Sequence, residues 1–468
     1  MELLAAVDNN NKGINANVQF NICIFLYKHR KGLKMKYKLI PINELKNSEE
    51  ILFLENGKIF IINENSKNKI ISQIDSYEYV GKNSSLTKVS NEKKELKKLT
   101  LLLTSTCNLR CKYCYEKYGE LATIDTTNKV MNKDVIFDVL NNIYTKYSNG
   151  IKYIQFFGGE PLIAFNLIKD IVQNIKENNL SRKLPKTKFG LVTNGVLLND
   201  DILNFCEKES IQITISIDAN KDIHDSVRIR SDGTGSYEEV KLKSSYANKT
   251  SNKIYFETTI NKNHLLVYEK NIVNEWINEL KDIGFKAGII GIVESSLDDS
   301  LNIKYEDYYV FKQIIKEFVD FFFVELRNSE PIFWIDMMKI IQKLISKDIK
   351  KYQCDAGVSK LAVSTDGYIL PCVKLSSQNF AKKDEKIDLI TIQNETKLNC
   401  KKCWIENFCL TYCLSSNLNN GKNIAPVKCW YMQEITERVI LNIVNMKQNN
   451  EIYLLQQGLC KFKMLINK

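Results

Sequence analysis

The stretch Thr104–Glu116, TSTCNLRCKYCYE, follows directly on the apolar run Leu99–Leu103 and carries Cys107, Cys111 and Cys114 in the spacing C-x3-C-x2-C. Cysteines so spaced are candidate ligands for zinc or an iron–sulfur cluster, and a closed site of either kind takes four protein ligands. No fourth cysteine and no histidine lies nearby, so one position is left for a ligand of another kind.

The same arrangement recurs along the chain. Short β-like runs at Tyr153–Phe157, Phe189–Thr193, Gln212–Ile217, Tyr255–Ile260 and Lys286–Val293 alternate with helical patterns such as Asp134–Tyr147. This alternation predicts repeated βα units around a parallel sheet, an α/β fold. Most of the runs end in a polar or glycine-containing motif: GGEP at Gly158–Pro161, TNG at Thr193–Gly195, SIDA at Ser216–Ala219 and INKN at Ile260–Asn263. Sites in parallel folds lie at the carboxyl ends of the strands, so all these motifs are expected around one mouth.

Composition narrows the class. The chain has 468 residues, 44% hydrophobic, with a net charge of +11 from scattered lysines and no basic-aromatic stripe. A solvated surface is expected, with no nucleic-acid partner. No apolar run approaches the roughly 18 residues of a membrane span, and the opening MELLAAVDNNNKG lacks the features of a signal peptide. A cytoplasmic protein with no membrane partner is the expectation. Thirteen cysteines then argue for metal or redox work. Seven sit late, at Cys354, Cys372, Cys400, Cys403, Cys409, Cys413 and Cys429, while Cys23, Cys206 and Cys460 stand alone as ordinary thiols.

The cysteine loop with Tyr113 before its last cysteine, followed in order by GGEP, TNG and SID, resembles the radical S-adenosylmethionine (SAM) enzymes. A zinc knuckle explains the loop alone but not that succession. The resemblance implies a partial (β/α)6 barrel in which Cys107, Cys111 and Cys114 hold a [4Fe–4S] cluster. SAM occupies the fourth iron, and its reductive cleavage gives a 5′-deoxyadenosyl radical. Gly158 and Gly159 are expected to let backbone approach a ligand closely. Glu160 is implied to receive the SAM ammonium group. Thr193 and Asn194 suit its ribose or methionyl end, and Ser216 and Arg228 its carboxylate, which a guanidinium fork fits. Tyr113 and Asp218 are counted with these contacts. His224 is expected to position the loop that carries Arg228. No side chain is assigned as acid or base.

The late cysteines resemble the SPASM domain of radical SAM peptide-modifying enzymes. That resemblance implies auxiliary cluster I on Cys354, Cys372 and Cys413, and auxiliary cluster II on Cys400, Cys403, Cys409 and Cys429, three [4Fe–4S] clusters in all. A zinc ribbon is the alternative for the late group by itself. Asp355–Pro371 contains no cysteine, and Val373 follows Pro371–Cys372. Both features depart from the formylglycine-forming sulfatase maturases. The chain looks more like thioether-forming (sactipeptide/ranthipeptide-type) peptide maturases, in which a substrate cysteine fills the vacant iron. The implied partners are a cysteine-containing precursor peptide and a flavodoxin- or ferredoxin-type reductant. Carbon–carbon crosslinking or another side-chain oxidation is the sister chemistry, and a non-catalytic iron–sulfur electron carrier would need no SAM motifs.

Five regions are expected. Residues 1–95 form a small α+β region suited to leader-peptide recognition, with strands at Tyr37–Ile42, Ile51–Leu54 and Lys58–Ile62, and the part before Met35 reads as an upstream extension. Residues 96–305 form the barrel. Residues 306–350 form a helical bridge with helices at Asp307–Asn328 and Ile335–Ile349. Residues 351–435 are the SPASM domain, and 436–468 a helix and tail.

Overall fold

A computed structural model describes residues 37–41, 49–54, 58–63, 67–68, 70–72, 95–114, 130–218, 220–294, 299–328, 331–346, 356–375, 403–409 and 426–467. Six strands lie side by side, all parallel and in chain order: β4 (Lys98–Leu102), β5 (Tyr153–Phe157), β6 (Lys188–Thr193), β7 (Gln212–Ser216), β8 (Ile254–Ile260) and β9 (Ala287–Ile292). The helices between them, among them Lys133–Lys146, Phe165–Ser181 and Ile272–Asp282, bury one apolar stripe each.

Strand side chains alternate between faces. One face is the packed one: Ile154, Phe156, Leu191, Ile213 and Ile215 are buried on it. On the same side Phe256 lines a small apolar cavity with Ile277, Leu280, Phe318 and Trp334. The opposite face is half-open and polar, carrying Gln155, Thr214, Ser216 and Glu257. A closed α/β barrel fills this interior with layers of Val, Ile and Leu. Here polar side chains stand on the inner face beside Phe157 and Val192, and the space they face is termed the chamber.

The sheet curls around that chamber. In a flat sheet β4 and β8 would stand about 19 Å apart, at 4.7–4.9 Å per strand. Yet Lys98 on β4 and Glu257 on β8 lie within electrostatic reach of each other. Tyr113, in the loop after β4, reaches Asp218 beyond β7 with its hydroxyl at 2.8 Å.

Three strands extend the six into a nine-stranded sheet. β10 (Phe333–Trp334) pairs in parallel with β9, β11 (Lys360–Val363) in parallel with β4, and β12 (Ile369–Leu370) antiparallel to β11. The β11–β12 hairpin is tied to the edge of β4 because the N–H groups of Lys97 and Lys98 both donate to the Ser359 carbonyl, at 2.9 and 3.2 Å. Cys372 follows directly on this hairpin, so one late cysteine belongs to the same sheet as the opening cysteine loop.

The helix Tyr308–Arg327 buries Phe311, Ile314, Ile315, Phe318 and Phe322. It packs along the helix Pro426–Gln448 through Arg438 and Asp320, with an Nη2–Oδ2 distance of 2.6 Å. In place of a tail, the last helix, Ile452–Asn467, closes on the sheet, and the Tyr255 hydroxyl donates to the Leu465 carbonyl at 3.2 Å. No helix of the described residues is long and apolar enough to cross a membrane.

The N-terminal sheet is antiparallel, in the order β1 (Tyr37–Pro41), β2 (Glu49–Leu54), β3 (Ile59–Asn63). It is not free-standing. Ile40, Ile51, Phe53 and Ile59 join the common core. Phe53 sits edge-on to both Trp404 and Phe408, each at 5.5 Å, in the turn between Cys403 and Cys409. Replacing Phe53 by alanine should therefore lower the stability of the whole chain by about 3–5 kcal/mol, the usual cost of emptying a buried phenylalanine site. Urea unfolding checks this. An unchanged midpoint would show that the sheet adds nothing to the core.

Candidate functional site

The carboxyl ends of β4 to β8 converge as the motif order requires. The GGEP turn after β5 presses on the cysteine loop after β4. The Gly159 N–H donates to the Thr104 carbonyl at 2.7 Å, and the Glu160 N–H to the Thr106 carbonyl at 2.9 Å. A Cβ on Gly158, whose φ is +128°, would stand 2.5 Å from the Thr104 oxygen, and one on Gly159 would stand 2.3 Å from the Thr106 oxygen. The glycines are thus demanded by the cysteine loop itself. This requirement stands beside the expectation that they let backbone approach a ligand.

Glu160 lies beneath that contact at 1% exposure. Its oxygens accept from the Thr193 hydroxyl at 2.7 Å, the Asn194 N–H at 2.8 Å and the Leu162 N–H at 3.1 Å. Burial lifts its pKa to about 7 in spite of these three donors. No lysine, arginine or histidine pairs with it among the described residues. The Asn194 amide donates to Asn108 at 2.8 Å and lies 3.7 Å from the Cys107 sulfur, which also accepts from the Leu109 N–H at 3.4 Å. Burial pushes the Cys107 thiol up to about 11, and the two donors work against that shift. Cys107, Glu160, Thr193 and Asn194 therefore form one connected group.

A second group is centred on Asp218, fully buried after β7. Its carboxylate accepts from Arg228 Nε at 2.9 Å and Nη2 at 3.3 Å, from the Tyr113 hydroxyl at 2.8 Å, from Thr258 Oγ1 at 3.3 Å and from the Thr259 N–H at 2.9 Å. Burial alone would raise the Asp218 pKa, but the Arg228 guanidinium holds it below the usual carboxylate range. Arg228 also stacks over the Tyr113 ring at 5.3 Å. Asp218 and Tyr113, expected to touch the cofactor, have these polar groups engaged with each other and with Arg228. These bonds tie Arg228 to the cysteine loop. The same loop is held from behind, where the N–H groups of Arg110 and Lys112 donate to the carbonyls of Ile229 and Val227 at 2.6 and 2.9 Å. Arg228 Nη1 and the Ser216 hydroxyl make no hydrogen bond among the described residues.

His224 is fully buried, and burial lowers its pKa to about 4, so the ring is neutral. Nδ1 accepts from the Asp218 N–H at 3.3 Å, which puts the proton on Nε2. Nε2 then donates to Ser236 Oγ at 3.0 Å, and that hydroxyl donates to the Arg228 carbonyl at 2.9 Å. The ring fixes the backbone on both sides of the Asp218–Arg228 pair. Asn108, Thr258 and Thr259 join the site without having been singled out. The only hint is their place, in the cysteine loop and in the polar ETT run of β8.

Of the late cysteines, Cys372, Cys403, Cys409 and Cys429 are described, all partly buried and free of disulfides. The Gln433 amide lies 3.7 Å from the Cys403 sulfur. Cys354, Cys400 and Cys413 fall outside the described residues. Among the described residues no three His, Cys, Asp or Glu side chains converge on a single metal ion. Cluster cysteines need no such convergence, because each binds its own iron.

Two outcomes test this reading of the site. Asp218→Asn leaves the Arg228 charge buried without its partner and should cost about 3–5 kcal/mol, measured by urea unfolding. His224→Gln should be most destabilising, relative to the native chain, above about pH 6.5. The folded imidazole titrates at about 4 and the unfolded one near 6.5. Between those values only the unfolded state takes up the proton, so the contribution of the neutral ring is lost as pH falls. The gap between the two melting curves should close toward pH 4.

Comparison with known proteins agrees with this geometry. The model of the Radical SAM superfamily matches residues 101–259. The chain is similar to the radical SAM cyclopropyl synthase TigE of Paramaledivibacter caminithermalis, 24% identical over 344 residues, 69% of this chain and 68% of that protein. It is also similar to the cysteine-type anaerobic sulfatase-maturating enzyme of Clostridium novyi, 22% identical over 289 residues, 59% of this chain and 74% of that one. Among solved structures, native anSMEcpe with bound AdoMet and Cp18Cys peptide shares the fold, with a TM-score of 0.60 at 19% identity, covering 76% of this chain and 99% of that one. Residues 101–259 of this chain are a radical SAM domain.

Proposed function

We propose that this chain is a radical SAM peptide maturase that takes hydrogen from a carbon of a precursor peptide and joins that carbon to a cysteine sulfur. The observation that carries the SAM half is Glu160. A carboxylate sealed at 1% exposure, given three hydrogen bonds and no cation among the described residues, beside Cys107, fits an ammonium group delivered by a ligand. In this reading Cys107, Cys111 and Cys114 would hold a [4Fe–4S] cluster that leaves one position for SAM, and the two together would supply the chemistry of hydrogen-atom abstraction. Glu160, ionised by its new partner, holds the ammonium end. The unengaged Arg228 Nη1 and the Ser216 hydroxyl take the carboxylate, and Thr193 and Asn194 fix the floor between them.

The polar inner face of β5, β7 and β8 suits a peptide chain, whose amides need partners wherever they are buried. Cys372, Cys403, Cys409 and Cys429, with Cys354, Cys400 and Cys413, are read as a SPASM pair of auxiliary [4Fe–4S] clusters fed by a flavodoxin- or ferredoxin-type reductant. The β1–β3 sheet is read as the leader-binding element. The sulfur-to-carbon bond rests on the missing eighth cysteine between Cys354 and Cys372. The likeness to a cyclopropyl synthase favours carbon–carbon bond formation as the second reading.

The test is anaerobic reconstitution followed by turnover with a pool of synthetic peptides, each with one central cysteine. About twelve irons per chain are expected, four per cluster, with conversion of SAM to 5′-deoxyadenosine. The peptide product should be lighter by two hydrogens and should have lost its alkylatable thiol. A lighter product that keeps its thiol would establish the second reading. An iron count near four would remove the SPASM assignment.

A further inference from the structure

Strand β8 carries, within IYFETTI, the one carboxylate found on strands β4 to β9. Glu257 is held in place by its backbone: its carbonyl accepts from the Ile217 N–H at 3.0 Å, and it stands in register with Ser216 on β7. Its neighbour Phe256 points outward into the helix layer, packing on Phe285 at 5.7 Å. Alternation therefore turns Glu257 into the chamber. Thr259, on the same face, is the side chain that a Cβ on Gly291 would meet at 3.8 Å.

Charges withdrawn from water are mostly paired or hydrogen-bonded, and this half-buried one is neither among the described residues. The carboxylate makes no hydrogen bond and no ion pair among the described residues. The charged groups within its electrostatic reach are Arg228, Lys374, Lys98 and Asp218. Arg228 and Asp218 are already joined to each other. Lys98, on the far wall, rests over the Tyr153 ring at 5.8 Å, and Lys374 is exposed beyond β12. Burial raises the Glu257 pKa, so the group stands closer to neutral pH than an exposed glutamate.

We propose that Glu257 accepts the proton that the peptide gives up when its new bond closes, an assignment that rests on the maturase reading. Once a hydrogen atom has left the substrate carbon, the carbon radical, a cysteine S–H and the Glu257 carboxylate yield the C–S bond, a neutral Glu257 acid and one electron. The S–H bond breaks, its proton goes to Glu257, and the electron passes to a one-electron acceptor of the iron–sulfur class. The charge is −1 on each side. Glu257 then returns the proton to water.

The experiment compares the native enzyme with Glu257→Gln and Glu257→Asp, using the same pool of central-cysteine peptides. The readouts are closed product per 5′-deoxyadenosine formed, its pH profile, iron content and SAM binding. Glu257→Gln should keep its iron and its SAM affinity while closed product per 5′-deoxyadenosine falls about 100-fold, the low end of what a positioned base contributes. Glu257→Asp should recover part of it. In the native enzyme this ratio should rise with pH as the carboxyl ionises, and that limb should vanish in Glu257→Gln. Lys98, lowered to about 8 by burial, titrates on the alkaline side and cannot imitate it. Closure by Glu257→Gln at the native ratio and pH profile overturns the proposal, as does loss of iron or SAM binding in that variant. A native enzyme that cleaves SAM but closes no peptide overturns the maturase reading, and this one with it.

Discussion

The Asp218–Arg228 pair, with 0% and 7% side-chain exposure, governs the rest of the site. Two charges taken out of water together add little net stability, but neither can be left without the other. The pair therefore tolerates few arrangements. Tyr113 reaches it from the cysteine loop, Thr258 and Thr259 from β8, and His224 braces the backbone at both of its ends. Three separate strand ends are thus indexed to one buried carboxylate.

The same economy of shared contacts runs outward from the barrel strands. The β11–β12 hairpin adds to the edge of β4 and carries Cys372 toward the opening loop's own strand. The N-terminal sheet leans on the turn that bears Cys403 and Cys409, with Phe53 inserted between Trp404 and Phe408. An element that looked like an appended recognition module in the sequence is part of the common core. Removing it outright would expose apolar surface beside two candidate cluster ligands, which is why a point substitution is the more informative probe.

Two inward-facing carboxylates show how environment assigns role. Glu160 has three hydrogen bonds and no cation among the described residues, so its deficit is positive charge. Glu257 has no hydrogen bond among the described residues, so its deficit is any partner at all. Burial raises both. The first fits a fixed ligand, the second a transient one.

Much of this was legible in the chain itself. Alternating apolar runs located the six parallel strands to within one or two residues, because strand periodicity is local. The motif at the end of each run located the mouth, since a parallel sheet puts all its carboxyl ends on one side. What the sequence could not reveal are the contacts between segments far apart along it. That Gly158 and Gly159 are required by the carbonyls of Thr104 and Thr106 depends on two loops meeting. That Asp218 and Tyr113 are engaged by Arg228 depends on the curl of the sheet. That Glu257 has no hydrogen bond or ion pair among the described residues depends on how four strands and their loops surround it. Local pattern determined which groups stand at the mouth and on its walls, and tertiary packing decided which of them remain available for a ligand.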